Sequence, residues 1–352
     1  MAPIGGPERR KEGPHARAGR IGRGMEEPSL DVVIVTRDRP LRLAALLGDL
    51  SEGAYRPRTI TLVDDSPQPS DWSKSFPTLP LRTLRPSRRT FISAAKNAGA
   101  RGGTAPFVAF VDDDNRLPPD VLPTLVRDLE THPDWGAVMP GVVYHQRPEL
   151  VWVYATPFRP DRWEFDLLGR NRPRQAPLEH RHLPTDALPN LSVVRRSGME
   201  AVGGFDEGFP VNSSADLCQR MKSAGWVVQA DTGVLTRHDV EPPGTPGYWA
   251  EHAVVDPYRA RHEVADWFRF HRRWGPAGPG FAARASARAL RFLLPTIVAA
   301  AIRPVPHRFR LMVSLGQGYR DGLFGPMPAS PAPWAAANDG GGRPPESHFE
   351  KG

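Results

Sequence analysis

Apolar residues along the chain fall into two patterns. Short β-branched runs end in polar residues, and longer stretches repeat an apolar side chain every three or four positions. DVVIVT (31–36) is of the first kind and suits a strand buried on both faces. Arg37-Asp38-Arg39-Pro40 follows as a turn, with the proline set to open a helix. In that helix Leu43, Leu46, Leu47 and Leu50 fall at i, i+3, i+4 and i+7, one apolar stripe. TITLVDDS (59–66) repeats the strand and its acidic ending. The helical ISAAKNAGARGG (92–103) runs into the strand PFVAFVDDD (106–114). A further helix from Pro118 carries Leu122, Leu125, Val126 and Leu129 on one face. This alternation predicts an α/β fold with a mostly parallel twisted sheet flanked by helices.

Ligands of such sheets bind beyond the carboxyl ends of the strands. Here those ends carry Thr36-Arg37-Asp38, Asp64-Asp65-Ser66 and Asp112-Asp113-Asp114, which together predict a polar crevice. Adjacent carboxylates repel, so the acid triplet calls for a cation. From about residue 140 the pattern loosens, and 144–189 reads as a short-stranded excursion or long loop. Its Trp152, Tyr154, Phe158 and Trp163 suit either stacking on a ligand or core packing, and its His180/His182 pair reads as surface. Regularity returns in SSADLCQRMKSAGW, a helix with Ser213 or Ser214 as N-cap, Gly225 just past its end and Cys218 on its apolar side. VVQADTGVLTRHD is a strand ending at His238, and Asp256-Pro257 and Gly275 bracket another helix.

Composition narrows the class. Residues 1–27 and 326–352 hold many of the 40 prolines and 33 glycines and little apolar periodicity, so both are expected to be disordered tails. The N-terminal arginines lack an apolar h-region, and no secretory signal is expected. A single cysteine excludes an internal disulfide framework and fits a reducing, cytoplasmic setting. The net charge is +7, but arginines are spread along the chain without a nucleic-acid-binding signature, so no nucleic-acid partner is expected. FLLPTIVAAAI (292–302) is shorter than the roughly 20 residues a membrane span needs.

Taken in order, VVIVTRDRP, LVDDSP, AAKNAG, FVDDDN, the NLSVVRR strand, GGFDEGF, ADLCQRMKSAGW and His238 resemble the core of the family 2 glycosyltransferases, over residues 30–240. The resemblance implies a GT-A fold and a metal-dependent transferase acting on a nucleotide-diphosphate sugar, UDP-, GDP- or dTDP-linked, with Mn2+ or Mg2+. It leaves the acceptor open. On this pattern Thr36, Arg37 and Asp38 line the nucleotide pocket, and Asp64, with Asp65 beside it, faces the base. Lys96 stands near the diphosphate, where the family has arginine. Asp112 and Asp113 face the ribose or metal-bound water, and the metal set is Asp112, Asp114, which binds the ion directly, and His238 as a further ligand. The implied organisation is a core at 28–245 (nucleotide half 28–117, acceptor half 118–245) and a helical extension at 246–325, which in the family often touches the inner face of a membrane.

One motif departs from the family. Where an acid pair ordinarily precedes the acceptor-side helix, this chain reads Asn212-Ser213-Ser214-Ala215-Asp216, with Ser214 at the position of the general base. A hydroxyl cannot serve as a base near neutral pH. The base could be Asp216, or come from Glu207 or the excursion. Otherwise the leaving diphosphate takes the proton in a retaining reaction, or the chain only binds. Inverting transfer is the primary expectation.

Overall fold

The first β-branched run folds as β1 (Leu30–Thr36), buried almost throughout, and Pro40 opens α1 (Pro40–Glu52) as expected. The computed structural model describes residues 30–334 and 349–351, apart from 54, 176–177, 180, 249–255, 277, 303–304 and 306. The expected N-terminal tail and His180 lie outside these residues. The elements continue as β2 (Thr59–Asp64), α2 (Trp72–Ser75), β3 (Leu81–Pro86), α3 (Ile92–Arg101), β4 (Phe107–Asp112), β5 (Asn115–Arg116) and α4 (Val121–Thr131). Then come β6 (Trp135–Tyr144), β7 (Val151–Val153), β8 (Phe158–Arg159), β9 (Glu164–Phe165), β10 (His182–Pro184) and β11 (Leu191–Arg195). The described chain closes with α5 (Arg196–Ala201), α6 (Ser213–Ser223), β12 (Val227–His238), α7 (Pro257–Trp274), α8 (Phe281–Ile302), α9 (Arg308–Leu323) and β13 (Phe349–Lys351).

The sheet runs β10-β12-β6-β11-β4-β1-β2-β3. Strands β4, β1, β2 and β3 are parallel, so the N-terminal part of the sheet is the predicted βαβ array. The other half is mixed: β11 is antiparallel to both neighbours, while β12 runs parallel to β6. Leu43, Leu46, Leu47 and Leu50 are all buried and share one core cluster with the α4 stripe. Each such side chain stabilises the fold by about 1.5–3 kcal/mol relative to leaving it in water. A second cluster on the opposite face takes Met199 of α5 and Leu217, Cys218 and Met221 of α6.

Two local expectations change. Helix α6 is preceded by Asn212 as N-cap, so Ser213 is its first residue, while Gly225 does take the left-handed backbone just beyond its end. The C-terminal helices are less separate than an extension. In α7, Arg273 donates to Asp206 (2.7 Å), Asp216 (2.8 Å) and the Pro328 carbonyl (2.6 Å), and Asp266 accepts from the Val211 and Asn212 amides. Residues beyond α9, expected from 326 onward as a tail, lie on the body as far as Trp334, whose amide donates to the Glu200 carbonyl. Gly203 and Gly204 have positive φ, and a Cβ at either would collide with Ala332 or with the Trp334 ring. Glycine is therefore required there by both backbone and space.

Arg273 is 12% exposed in its side chain and shared by two buried carboxylates. Replacing it, as in Arg273→Met, is expected to lower the unfolding free energy by about 3 kcal/mol, because charges are left buried without their partner. Urea titration followed by circular dichroism checks this; a loss below about 1 kcal/mol would show the contact to be dispensable.

Candidate functional site

Where β1 and β4 end side by side, the acid triplet meets the first turn. Thr36 at the end of β1 donates its hydroxyl to Asp113 Oδ2 at 2.7 Å. Asp38 takes the left-handed backbone at φ 56°, and the chain folds back so that Arg39 enters the crevice. Its guanidinium donates to Asp113 Oδ1 (3.0 Å) and Asp114 Oδ2 (2.9 Å). Nothing in the sequence reading singled out Arg39, because its neighbours carried the motif. Asn115, also missed, fixes the turn: its amide donates to the Asp112 and Asn190 carbonyls. Pairing of β5 with β12 sets Asn115 opposite His238.

That pairing brings His238 Nε2 to 3.3 Å from Asp114 Oδ1. The Oδ1 atom is buried and makes no hydrogen bond within the protein. Burial alone would raise the Asp114 pKa, but His238, then Arg39 and Arg42, bring it down to about 2. Asp113 is pushed up to about 6 by burial, which outweighs the Arg39 charge. Asp112 turns outward, and Lys96 of α3 pairs with it at 3.2 Å. The edge of the Trp152 ring packs against His238 at 4.7 Å between centroids, so the excursion contributes to this corner.

The remaining predicted nucleotide residues line the neighbouring strand end. Arg37 donates to the Asp65 carboxylate (2.8 Å) and carbonyl (2.9 Å). Asp64 is buried and holds the turn by accepting from the Ser66 amide, and Ser66 in turn accepts from the Asp38 amide. The structure thus brings Thr36, Arg37, Asp38, Asp64, Asp65, Lys96, Asp112, Asp113, Asp114 and His238 to the carboxyl ends of the strands.

Asp216 is a different case. It is fully buried, with Arg220 Nε on Oδ2 (2.7 Å) and both Arg273 (2.8 Å) and Trp274 Nε1 (2.9 Å) on Oδ1. A carboxylate so enclosed is an anchor for α6 and α7, and the expectation that it acts as a base is corrected on that ground. Ser214 is half-buried, its hydroxyl 3.5 Å from the Leu188 amide. Glu207, on the GGFDEGF segment, is about half exposed (49%) and uses Oε1 to accept from Asn97 at 2.9 Å. Of the aromatic cluster, Tyr154 is fully buried, Phe158 packs on Phe165 and Phe270, and Trp163 stacks on His271. These three serve packing, and Trp152 alone of the four touches a predicted site residue.

Residues 31–190 match the family model described as Glycosyl transferase family 2. A Bacillus subtilis (strain 168) protein described as "Uncharacterized glycosyltransferase YwdF" is 27% identical over 103 residues, covering 29% of this chain and 38% of that protein. The match therefore spans well under half of that relative's length. A mannosyltransferase from Pyrobaculum calidifontis, solved with GDP-Man and Mn2+, is similar with a TM-score of 0.52 at 20% identity. The likeness covers 85% of this chain and 88% of that one, and it establishes a shared fold.

Proposed function

We propose, from the match of residues 31–190 to the family 2 glycosyltransferase model, that this chain is a metal-dependent enzyme moving a sugar from a nucleotide-diphosphate donor to a hydroxyl or other nucleophile of an acceptor. The observation that carries this reading is the corner of Asp113, Asp114 and His238, in which a buried Asp114 oxygen has no donor of its own. Carboxylate oxygens with one imidazole suit Mn2+ and, less well, Mg2+. Asp114 and His238 would hold the ion, and Arg39 would share or yield the carboxylates it bridges. When bound, the cation supplies Lewis-acid neutralisation of the departing diphosphate. Lys96 adds a fixed positive charge beside it, Thr36 and Arg39 keep Asp113 in place, and Asp64 and Arg37–Asp65 line the end that takes the base. UDP, GDP and dTDP are the donor nucleotides to compare.

Calorimetric titration with these nucleotides, with and without Mn2+, tests the reading. One of them is expected to bind in a metal-dependent manner, and Asp114→Ala to weaken it by about 100-fold, or about 2.7 kcal/mol. Metal-independent binding, or none to any of the three, would overturn it.

The acceptor's proton needs a destination other than the enclosed Asp216. Glu207 is the half-exposed carboxylate of the GGFDEGF segment, and it is the base we propose for inverting transfer. Glu207→Gln is expected to lower kcat by at least about 100-fold with donor affinity unchanged. Unchanged turnover would move the proton to the leaving diphosphate, and the retaining reading would take its place.

A cytoplasmic enzyme meeting the inner leaflet is the accompanying proposal. No helix among the described residues is long and apolar enough to cross a membrane. On α8, Leu290, Leu294 and Val298 are exposed at 57%, 50% and 45%, spaced one turn apart. Exposed Phe309 and Val313 extend the apolar surface onto α9, with Arg284, Arg291, Arg308 and Arg310 exposed on the same two helices. Apolar stripes bordered by arginine suit anionic lipid headgroups. Co-sedimentation with phosphatidylglycerol vesicles is expected, and to be lost in the Leu294→Glu/Phe309→Glu double variant; equal pelleting of both proteins would refute it.

A further inference from the structure

A separate convergence of ligating side chains lies seven residues upstream of His238 on the same strand, on β12. Antiparallel pairing of β10 with β12 sets His182 directly opposite Asp231, and such cross-strand pairs share one face of the sheet. Helix α4 brings Asp128 to the same place. His182 Nε2 lies 3.8 Å from Asp128 Oδ1 and 4.0 Å from Asp231 Oδ1. One ligating atom from each residue falls within 4.8 Å of the others. The Trp135 and His132 rings border the His182 ring edge to face, at 4.8 and 5.7 Å between centroids, which fixes its orientation.

The carboxylates are costly as they stand. Side-chain exposure is 14% for Asp128 and 10% for Asp231. Asp128 Oδ2 is buried and has no hydrogen-bond partner. Burial, then the adjacent Asp231 charge, pushes the Asp128 pKa up to about 7. Asp231 Oδ1 accepts from the Gly233 amide at 2.7 Å, but Asp128 Oδ2 has no such donor, so the pair calls for a shared proton, a protonated His182 or a metal cation between them. An imidazole nitrogen aimed at both makes the cation the better fit, because a proton would satisfy the acids and leave His182 unused.

We propose that Asp128, His182 and Asp231 form a binding site for a divalent cation of the zinc class, distinct from the acid triplet. Two carboxylates and a neutral imidazole cancel the charge of the ion, and a water would complete a tetrahedron. Mixed nitrogen and oxygen donors in small number favour zinc over Mg2+ or Ca2+, which prefer all-oxygen shells. Bond lengths of about 2.0–2.2 Å place tetrahedral ligand atoms roughly 3.4 Å apart, so the three groups would draw together by at most about 1.4 Å. The site would fasten a weakly held strand. β10 pairs with the sheet through three residues, and it ends the excursion that carries Trp152 onto His238. The ion would thus brace the acceptor side from behind, with no part in the chemistry.

The test uses the full chain without a histidine tag, stripped with chelator, in an Asp114→Ala background that silences the triplet. Zn2+ is titrated against a chromophoric chelator. One equivalent is expected to bind and to raise Tm, and His182→Gln to weaken binding by at least about tenfold. His182 is 40% exposed in its side chain, so the glutamine variant keeps the fold, and circular dichroism checks that it does. X-ray absorption of the zinc-loaded wild-type chain is expected to show one imidazole among oxygen ligands, a readout independent of any variant. No retained equivalent, affinity unchanged in His182→Gln, or a spectrum without imidazole would each overturn the site.

Discussion

Adjacent carboxylates at the end of a buried strand must each find a positive neighbour, and the arrangement of the crevice follows from that constraint. The side chains of the triplet diverge to separate partners: Asp112 to Lys96, Asp113 to Thr36 and Arg39, Asp114 to Arg39 and His238. Those partners come from α3, the β1 turn and the end of β12, so satisfying the acids assembles the site. Asn115 makes this feasible by fixing the turn that separates Asp113 from Asp114 and by meeting β12 in register. On the proposed reading such a corner has a use, because a concentration of negative charge is what draws a cation to a leaving diphosphate.

Much of the N-terminal βαβ array was legible from periodicity. The leucines of α1 and α4 occupy the core because a stripe at i, i+3, i+4 and i+7 has no other stable place to go. Thr36, Asp114 and His238 were legible through the family resemblance, and the parallel strands deliver them to one edge. Arg39 went unnoticed because a basic residue before proline looks like ordinary turn chemistry. Asp216 was misjudged for a different reason: its enclosure depends on Arg273 and Trp274, 57 and 58 residues further on, and no local pattern reports a contact of that range.

The part of the chain from about residue 140 onward was less legible because its order is set by partners distant in sequence. Trp163 and Phe158 looked equally suited to binding a sugar until α7 supplied His271 and Phe270 to pack on them. The C-terminal helices likewise read as an appendage, since the apolar cluster of Phe209, Ala215 and Phe270 and the buried ion pairs that attach them join residues far apart in sequence. Asp266 and Arg273 together hold the stretch from Asp206 to Asp216, which forms the entrance to α6.

The strap of residues 328–334 over Gly203, Gly204 and Gly208 has a bearing on biogenesis. The loop that shapes the acceptor side is synthesised more than a hundred residues before the segment that seats it. On the ribosome the parallel strands can pair early, since their contacts are close in sequence. The loop has to wait for Pro328 and Trp334 to emerge. The parallel strands can therefore form before the strap exists, and the stretch around Gly203, Gly204 and Gly208 takes its final shape only once residues 328–334 have been made.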